Sequence, residues 1–345
     1  MRGFLLMIVF MYLILPASAL EIEAPSVPES GQSWMPDNTD SFLDGILELM
    51  EKSISLLYPE LRNASRTGIG ILASVLLVSM LAAVSGKENG TLDLCGAAAS
   101  GMILLKDSSG LISLAATTVR ELNHYGKLLF PVMTAAMAAQ GGITASTGLY
   151  TGTVILDAVI SGIVSAVMVP GVYLFLAVSV TYAATGEALL KRIRDGIKSA
   201  ISWCLKTLLT VFVTYMSITG VVSGTADAAA LKATKVTVST VVPVVGGVLS
   251  DAAEAVLVSA GLMKNAAGIY GILAVLAVLL EPFLKIGVQY LTWKLVSVLC
   301  CVISEGRIAA LVEDASAAMG LLLAMTGSVC VLLMISTVCF MKGVG

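Results

Sequence analysis

Residues 154–198 read VILDAVISGIVSAVMVPGVYLFLAVSVTYAATGEALLKRIRDGIK, and the fold is decided here. From Ala158 to Thr185 no side chain carries a charge. About 20 apolar residues at 1.5 Å rise cross a ~30 Å hydrocarbon core, so the run is long enough to span a membrane. Lipid offers the backbone no hydrogen-bond partner, which leaves a helix as the structure of such a run. The ten-residue alternation of an outer-membrane barrel strand is missing. The span ends on Lys191, Arg192 and Arg194, followed by Lys198, the densest basic cluster in the chain. Lys and Arg favour cytoplasmic loops, so this cluster gives the span a direction as well as a class.

The rest of the chain repeats the pattern. Its 345 residues hold 20 Lys+Arg and 23 Asp+Glu, so 12% are charged, against about 25% in ordinary soluble domains. Hydrophobic residues make up 57% and the mean hydropathy is +0.96. This composition argues against a soluble enzyme, and a net charge of −3 leaves no basic excess for nucleic acid. Apolar blocks fall at about 67–85, 94–118, 128–148, 154–185, 200–222, 236–280 with polar interruptions, 286–304 and 317–341. The reading is an all-α, polytopic helical membrane protein.

Orientation selects which blocks cross. With an exported N-terminus and a cytoplasmic loop at 191, three crossings precede that loop. Block 94–118, broken by Lys106, Asp107 and Gly110, is expected to lie along or partway into the membrane. The crossings are then 67–85, 128–148, 163–185, 200–222, 266–280, 286–304 and 317–340, about seven in all. Glu281, Pro282 and Lys285 mark a short cytoplasmic turn, and Lys342 ends in the cytoplasm.

Three domains follow. Residues 1–19 have a signal-peptide shape: Arg2, an apolar run from Phe4 to Leu15, then Ala17-Ser18-Ala19. Residues 20–66 form an exported acidic arm with nine acidic and three basic side chains. Its Pro-rich start, with Pro25, Pro28 and Pro36, reads as a tether. Phe42, Ile46, Leu49, Met50, Ile54 and Leu57 then recur at helical spacing, an amphipathic helix expected to stop near Pro59 and to dock on the membrane surface or a partner. Residues 67–345 are the helical membrane domain.

Two stretches resemble each other, Pro131 running to Gly141-Gly142 and Pro243 running to Gly246-Gly247. Proline removes a backbone donor and glycine permits positive φ, so both are candidate broken or re-entrant segments. In transporters such breaks line a site near the midplane; in bundles generally Gly and Pro serve close packing. Ionisable residues within apolar blocks are Asp157, Asp251, Glu254, Lys264 and Glu281. Asp251 and Glu254, three apart, share a helical face and are placed at the outer mouth of a path lined by 131–142 and 236–260. A solvated outer hairpin is the plainer reading of the same two carboxylates. Small-xxx-small faces at Gly162/Ala166 and Gly220/Gly224 offer helix packing.

Catalytic chemistry finds no constellation. His124 is a lone histidine in a polar connector, and six cysteines form no C-x-x-C pair. No G-x-x-x-x-G-K-[ST] phosphate loop occurs, so an ATP-driven step would come from another subunit. Neither a cofactor nor a metal site is expected.

Residues 224–235 (GTADAAALKATK), 242–257 (VPVVGGVLSDAAEAVL) and 262–271 (LMKNAAGIYG) are more specific. Together with the signal peptide, the acidic arm and the Pro131 to Gly142 stretch they resemble the stage III sporulation protein AE family. That resemblance implies a place in the mother-cell membrane around the engulfed forespore, multi-pass, in a channel- or secretion-like complex needed for late forespore development. The implied partners are other stage III sporulation A-operon proteins, ring-forming subunits and an AAA-like ATPase among them. Stage II sporulation protein Q across the intermembrane space and membrane lipid complete the set. It implies no catalytic residue and no transported substrate. Two rivals stand beside this reading: a stand-alone secondary transporter with a coupling ion at Asp157 or Asp251, and a purely structural anchor.

Overall fold

The computed structural model describes residues 24–39, 41–85, 90–139, 143–241, 246–303 and 307–342. Side chains are described within these ranges except at 82, 85, 90–93, 139, 143–146, 149, 216–217, 219–241, 246–264 and 342. The described residues form helices and no strand: α1 (Glu29–Gln32), α2 (Phe42–Ser85), α3 (Gly90–Ala139), α4 (Ile143–Ile163), a π turn (Val164–Met168), α5 (Val169–Thr185), α6 (Ala188–Val241), α7 (Gly246–Ile303) and α8 (Arg307–Lys342). Six segments within them are long and apolar enough to cross a membrane: Phe42–Leu81, Leu94–Ala138, Tyr150–Thr185, Ala188–Tyr215, Asn265–Ile303 and Arg307–Met341. The all-helical polytopic class holds.

Helix lengths depart from the sequence reading, because proline does not stop these helices. Pro59, Pro131 and Pro282 all lie inside continuous helices. The amphipathic helix therefore runs on through Pro59 into the 67–85 span as one 44-residue helix. Block 94–118, expected to lie apart from the crossings, belongs to the same 50-residue helix as 128–139. Residues 281–285, expected to turn, sit mid-helix in the 58-residue α7, where Lys285 Nζ donates to Glu281 Oε1 at 2.6 Å. Blocks 266–280 and 286–303 are one helix, so the described bundle has six candidate spans rather than seven. A proline costs one backbone bond, and in a long helix among packed neighbours that loss is local. At 1.5 Å per residue α8 and α7 are roughly 54 and 87 Å long, both exceeding a ~30 Å hydrocarbon core.

Between α4 and α5 the chain bulges instead of breaking. Pro170 lacks a donor, and one residue before it the Val169 N–H reaches back five residues to the Val164 carbonyl, absorbing the misfit in a π turn. At the other end of α5, Gly186 adopts φ +73° and its N–H donates to the Tyr182 carbonyl at 2.8 Å. That left-handed cap reverses the chain into α6 within two residues.

α8 is the central helix, packed against α7 along its length and against α3, α4, α5 and α6. Val312, Met319, Leu322, Met325 and Phe340 are fully buried on it, and among its described large apolar residues only Val331 is exposed. Phe340 stacks on Phe130 of α3 with ring centroids 6.0 Å apart. Peripheral helices keep apolar side chains outward instead, such as Leu76, Leu77 and Met80 on α2 and Leu291, Leu295 and Val302 on α7. Four buried hydroxyls are satisfied within their own helices: Ser179, Thr326, Ser336 and Thr337 each donate to the carbonyl four residues earlier. Such back-bonding lets polar residues sit in an apolar bundle.

The arm's first part is not a free tether. Val27, Gly31 and Pro36 are buried, and a Cβ on Gly31 would come within 2.6 Å of Val278 on α7. Ser30 Oγ hydrogen-bonds Glu121 of α3, and Trp34 Nε1 donates to Glu281 Oε2 at 3.3 Å. Lys52 Nζ and the Glu48 carboxylate hold the Met35 carbonyl and the Asp37 N–H. Residues 24–39 are thus strapped across α3 and α7. The amphipathic part docks inward too, with Phe42, Ile46 and Leu49 packed on Leu273 and Ala277 of α7.

Candidate functional site

The expected broken segments fall at helix junctions. Pro131 is exposed on α3 and the helix continues through it to Ala139, so it makes no break. Gly141 and Gly142, between α3 and α4, and Pro243, between α6 and α7, lie outside the described residues. Gly246 and Gly247 open α7, and Asp251 and Glu254 follow in its first turns, their side chains outside the description. The end of α3 lies beside the end of α8, where Phe130 stacks on Phe340. At the opposite end the start of α3 meets the start of α8, a Cβ on Gly96 falling 2.7 Å from Ile308, and Ser79 near the end of α2 donates to the Ile303 carbonyl of α7.

That opposite end carries the basic cluster, and the structure divides it. Lys191, Arg192 and Lys198 are exposed, whereas Arg194 turns inward and is 8% exposed. Its Nη1 donates to Asp314 Oδ2 of α8 at 2.9 Å, and its Nη2 and Nε donate to Asp195 Oδ1 at 2.8 and 3.0 Å. The guanidinium carbon lies 4.9 Å from the centre of the Tyr182 ring. One cation therefore ties α5, α6 and α8 together. The planar fork suits this task, since a single Arg can serve two carboxylates and stack on a ring at once. Sequence reading took Arg194 as one member of a cytoplasmic basic cluster; its partner Asp314 is 120 residues away and no spacing signals it.

Polar contacts also join helices elsewhere in the bundle. Glu60 of α2 approaches Lys285 of α7 at 3.9 Å, and Gln289 Nε2 donates to Asp107 Oδ2 of α3 at 3.4 Å. Asp157, a candidate ion ligand, is buried on α4, and its backbone carbonyl accepts from Asn123 Nδ2 of α3 at 3.4 Å. Gly162 and Ala166 are exposed, with open space where a Gly162 Cβ would project. His124 is exposed, and no disulfide joins any of the six cysteines. Among the described residues no group of three His, Cys, Asp or Glu side chains is placed to hold a metal ion.

Two furrows of about 470 Å³ open on the bundle surface. One runs between Ile46 and Leu49 of α2 and Leu276 and Leu280 of α7; the other lies between Leu205 and Leu209 of α6 and Leu321 and Val331 of α8. Their walls are almost wholly apolar, with Ser53 the only polar residue lining the first and Ser202, Lys206 and Ser328 those of the second. This is chemistry for packing, without the convergent polar groups that orient a small substrate.

The family described as stage III sporulation protein AE matches residues 46–343, from the amphipathic half of α2 to the end of α8. The chain belongs to the stage III sporulation protein AE family. The stage III sporulation protein AE of Bacillus subtilis (strain 168) is 20% identical over 244 residues, covering 69% of this chain and 61% of that protein. The alignment thus spans about three-fifths of the relative's length. No solved structure matches. For this AE-family member the result is a sporulation membrane protein of helical class. The Arg194–Asp314 tie and both furrows lie within the matched region, whereas the strap at 24–39 lies before it.

Proposed function

We propose that the chain is the membrane-embedded, channel- or permease-like subunit of a mother cell–forespore transport complex required for late forespore development. Membership of the AE family over residues 46–343, on a bundle of six membrane-length helices, carries the reading. The N-terminal arm is exported into the intermembrane space and the Lys191–Lys198 end faces the mother-cell cytoplasm. There an AAA-like ATPase of the same operon meets the exposed basic residues. Ring-forming stage III subunits and stage II sporulation protein Q meet the exported end. In this reading the segments 131–142 and 236–260 line the path, with Asp251 and Glu254 at its outer mouth.

The test is the double variant Asp251→Asn/Glu254→Gln in a spore-forming host. Arrested forespore development with normal membrane insertion and complex assembly is expected. Intact development overturns the placement of the path.

One observation favours a second reading, a structural anchor for the rings. The described interior is closely packed and apolar around α8, and both furrows open outward instead of running through the bundle. Loss of ring recruitment without loss of conductance in arm-deleted protein would select the anchor.

A further inference from the structure

Three Asp, Glu, Lys or Arg side chains are buried among the described residues: Arg194, Asp314 and Asp157. The first two hold each other at 2.9 Å. Asp157 has no such counterpart. It is 3% exposed on α4, within the candidate span Tyr150–Thr185, and among the described residues its carboxylate makes no hydrogen bond and no ion pair. Asn123 Nδ2 of α3 reaches only its backbone carbonyl, at 3.4 Å. Thr153 and Ser161, buried four residues to either side, make a polar but uncharged file with it on one face of α4.

The helices packed on α4 are α3, α6 and α8. From Ala315 to Met341 α8 carries no Asp, Glu, Lys or Arg, so Cys330 and Cys339 are its titratable groups there. α6 presents Tyr215, whose hydroxyl donates to the Gly148 carbonyl, and Lys206, exposed on the furrow shared with α8. α3 presents Glu121, which bonds Ser30 of the strap, and His124 and Lys127, both exposed. Lys127, one turn from Asn123, is the charge whose field reaches the Asp157 carboxylate, and it does so without an ion pair. The adjoining π turn, Val164–Met168, carries no titratable side chain.

A carboxylate buried without a partner stays charged only at great cost, and a group so placed is neutralised by whatever it binds. Among the described residues no further acid, His or Cys side chains converge here to cage a metal cation. A proton needs only the carboxyl oxygen. We propose that Asp157 is a proton-binding site and that its proton exchanges with Lys127 as α4 shifts against α3. In the packed arrangement described the carboxyl is protonated and neutral. In the second arrangement the proton has passed from the carboxyl oxygen to water, and the electron pair left on that oxygen takes the Lys127 ammonium as its counter-ion. The π turn, two helical turns beyond Asp157, offers α4 its pivot on α5. This inference rests on the permease-like reading and gives it an energy source by class, a proton gradient.

The test uses the full-length chain in liposomes and dicyclohexylcarbodiimide, an apolar reagent that adds to a protonated carboxyl and not to a carboxylate. Peptide mapping by mass spectrometry reads each acid separately, and Asp314, buried but paired with Arg194, is the internal control. Asp157 should be modified and Asp314 spared, with modification of Asp157 falling about tenfold per pH unit once the medium is alkaline enough to remove the proton. Lys127→Met should keep Asp157 modified under more alkaline conditions, because the cation that favours the ionised form is gone. Asp157→Asn should insert normally and arrest forespore development in a spore-forming host. No modification of Asp157 in the parent chain overturns the site, and this arm needs no variant to fold. Suppression by sodium chloride relative to choline chloride at fixed pH overturns the proton as its ligand, and a pH profile unmoved by Lys127→Met overturns the exchange. Modification of the purified chain requires no partner protein, so it can succeed where the channel reading fails. Normal development of the Asp157→Asn strain would overturn the coupling to transport.

Discussion

Arg194 shows what a single residue can do in this bundle. Buried at 8% exposure with Asp314 at 7%, it is a charge that the apolar surroundings tolerate only because its donors are used. Removing one partner of such a pair is far costlier than removing both, since the survivor stays buried and unpaired. Asp314→Ala should therefore destabilise the bundle by roughly 3 kcal/mol, the low end for a buried pair because Asp195 still holds part of the guanidinium. The double variant Arg194→Met/Asp314→Leu should recover most of that loss. Unfolding in mixed detergent micelles measures both; a loss under about 1 kcal/mol for the single variant, or none recovered in the double, would show the tie to be idle. At this scale the sequence was least legible. A charge run at a membrane edge reads the same whether all its members are solvated or one turns inward, and only the packing of α6 on α8 separates the cases.

Elements were legible as helices but not as lengths. The apolar blocks at 154–185 and 317–341 lie within helices because nothing but an internally bonded backbone satisfies a long apolar run. What failed was the use of proline as a stop. At 281–285 the decisive signal was present: Glu281 and Lys285 lie four apart, the spacing of a helical ion pair, which a tight turn does not use. Glu48 and Lys52 in α2 repeat it. The strap at 24–39 was missed for another reason, since its few apolar residues cannot form a core but can fill a groove made by α3 and α7. Continuity of α7 can be measured directly. Spin labels at Ile269 and Leu299, thirty residues apart, should be separated by about 45 Å in one helix. A hairpin turning at Pro282 would bring them to within roughly 10–20 Å, the spacing of packed neighbours with their label linkers.

Six candidate spans among the described residues, in place of seven crossings, change the topology even though the class stands. Seven crossings would place the two ends of the membrane domain on opposite sides; six place them together. The basic loop after α5 is unaffected, because three helices precede it in either scheme: 94–118, which the sequence reading set aside, merges into the second crossing without adding one. The difference arises after residue 198, where α7 replaces two short spans and a turn. With the arm exported, the end of α8 at Lys342 is then exported as well, and the cytoplasm receives the α2–α3, α5–α6 and α7–α8 connections. Single cysteines at Ser41, Lys198 and Lys342 in a cysteine-free chain, labelled from outside before and after permeabilisation, decide the matter. Positions 41 and 342 should label in intact cells and 198 only after permeabilisation. Labelling of 41 and 342 from opposite sides would mean that one of the six long helices fails to cross. Suspicion would fall first on α6, which carries Lys191, Arg192, Lys198 and Lys206 exposed along its first turns and is the least buried of the six over its most apolar stretch. If 198 labels from outside in intact cells, the positive-inside assignment is reversed and the arm faces the cytoplasm.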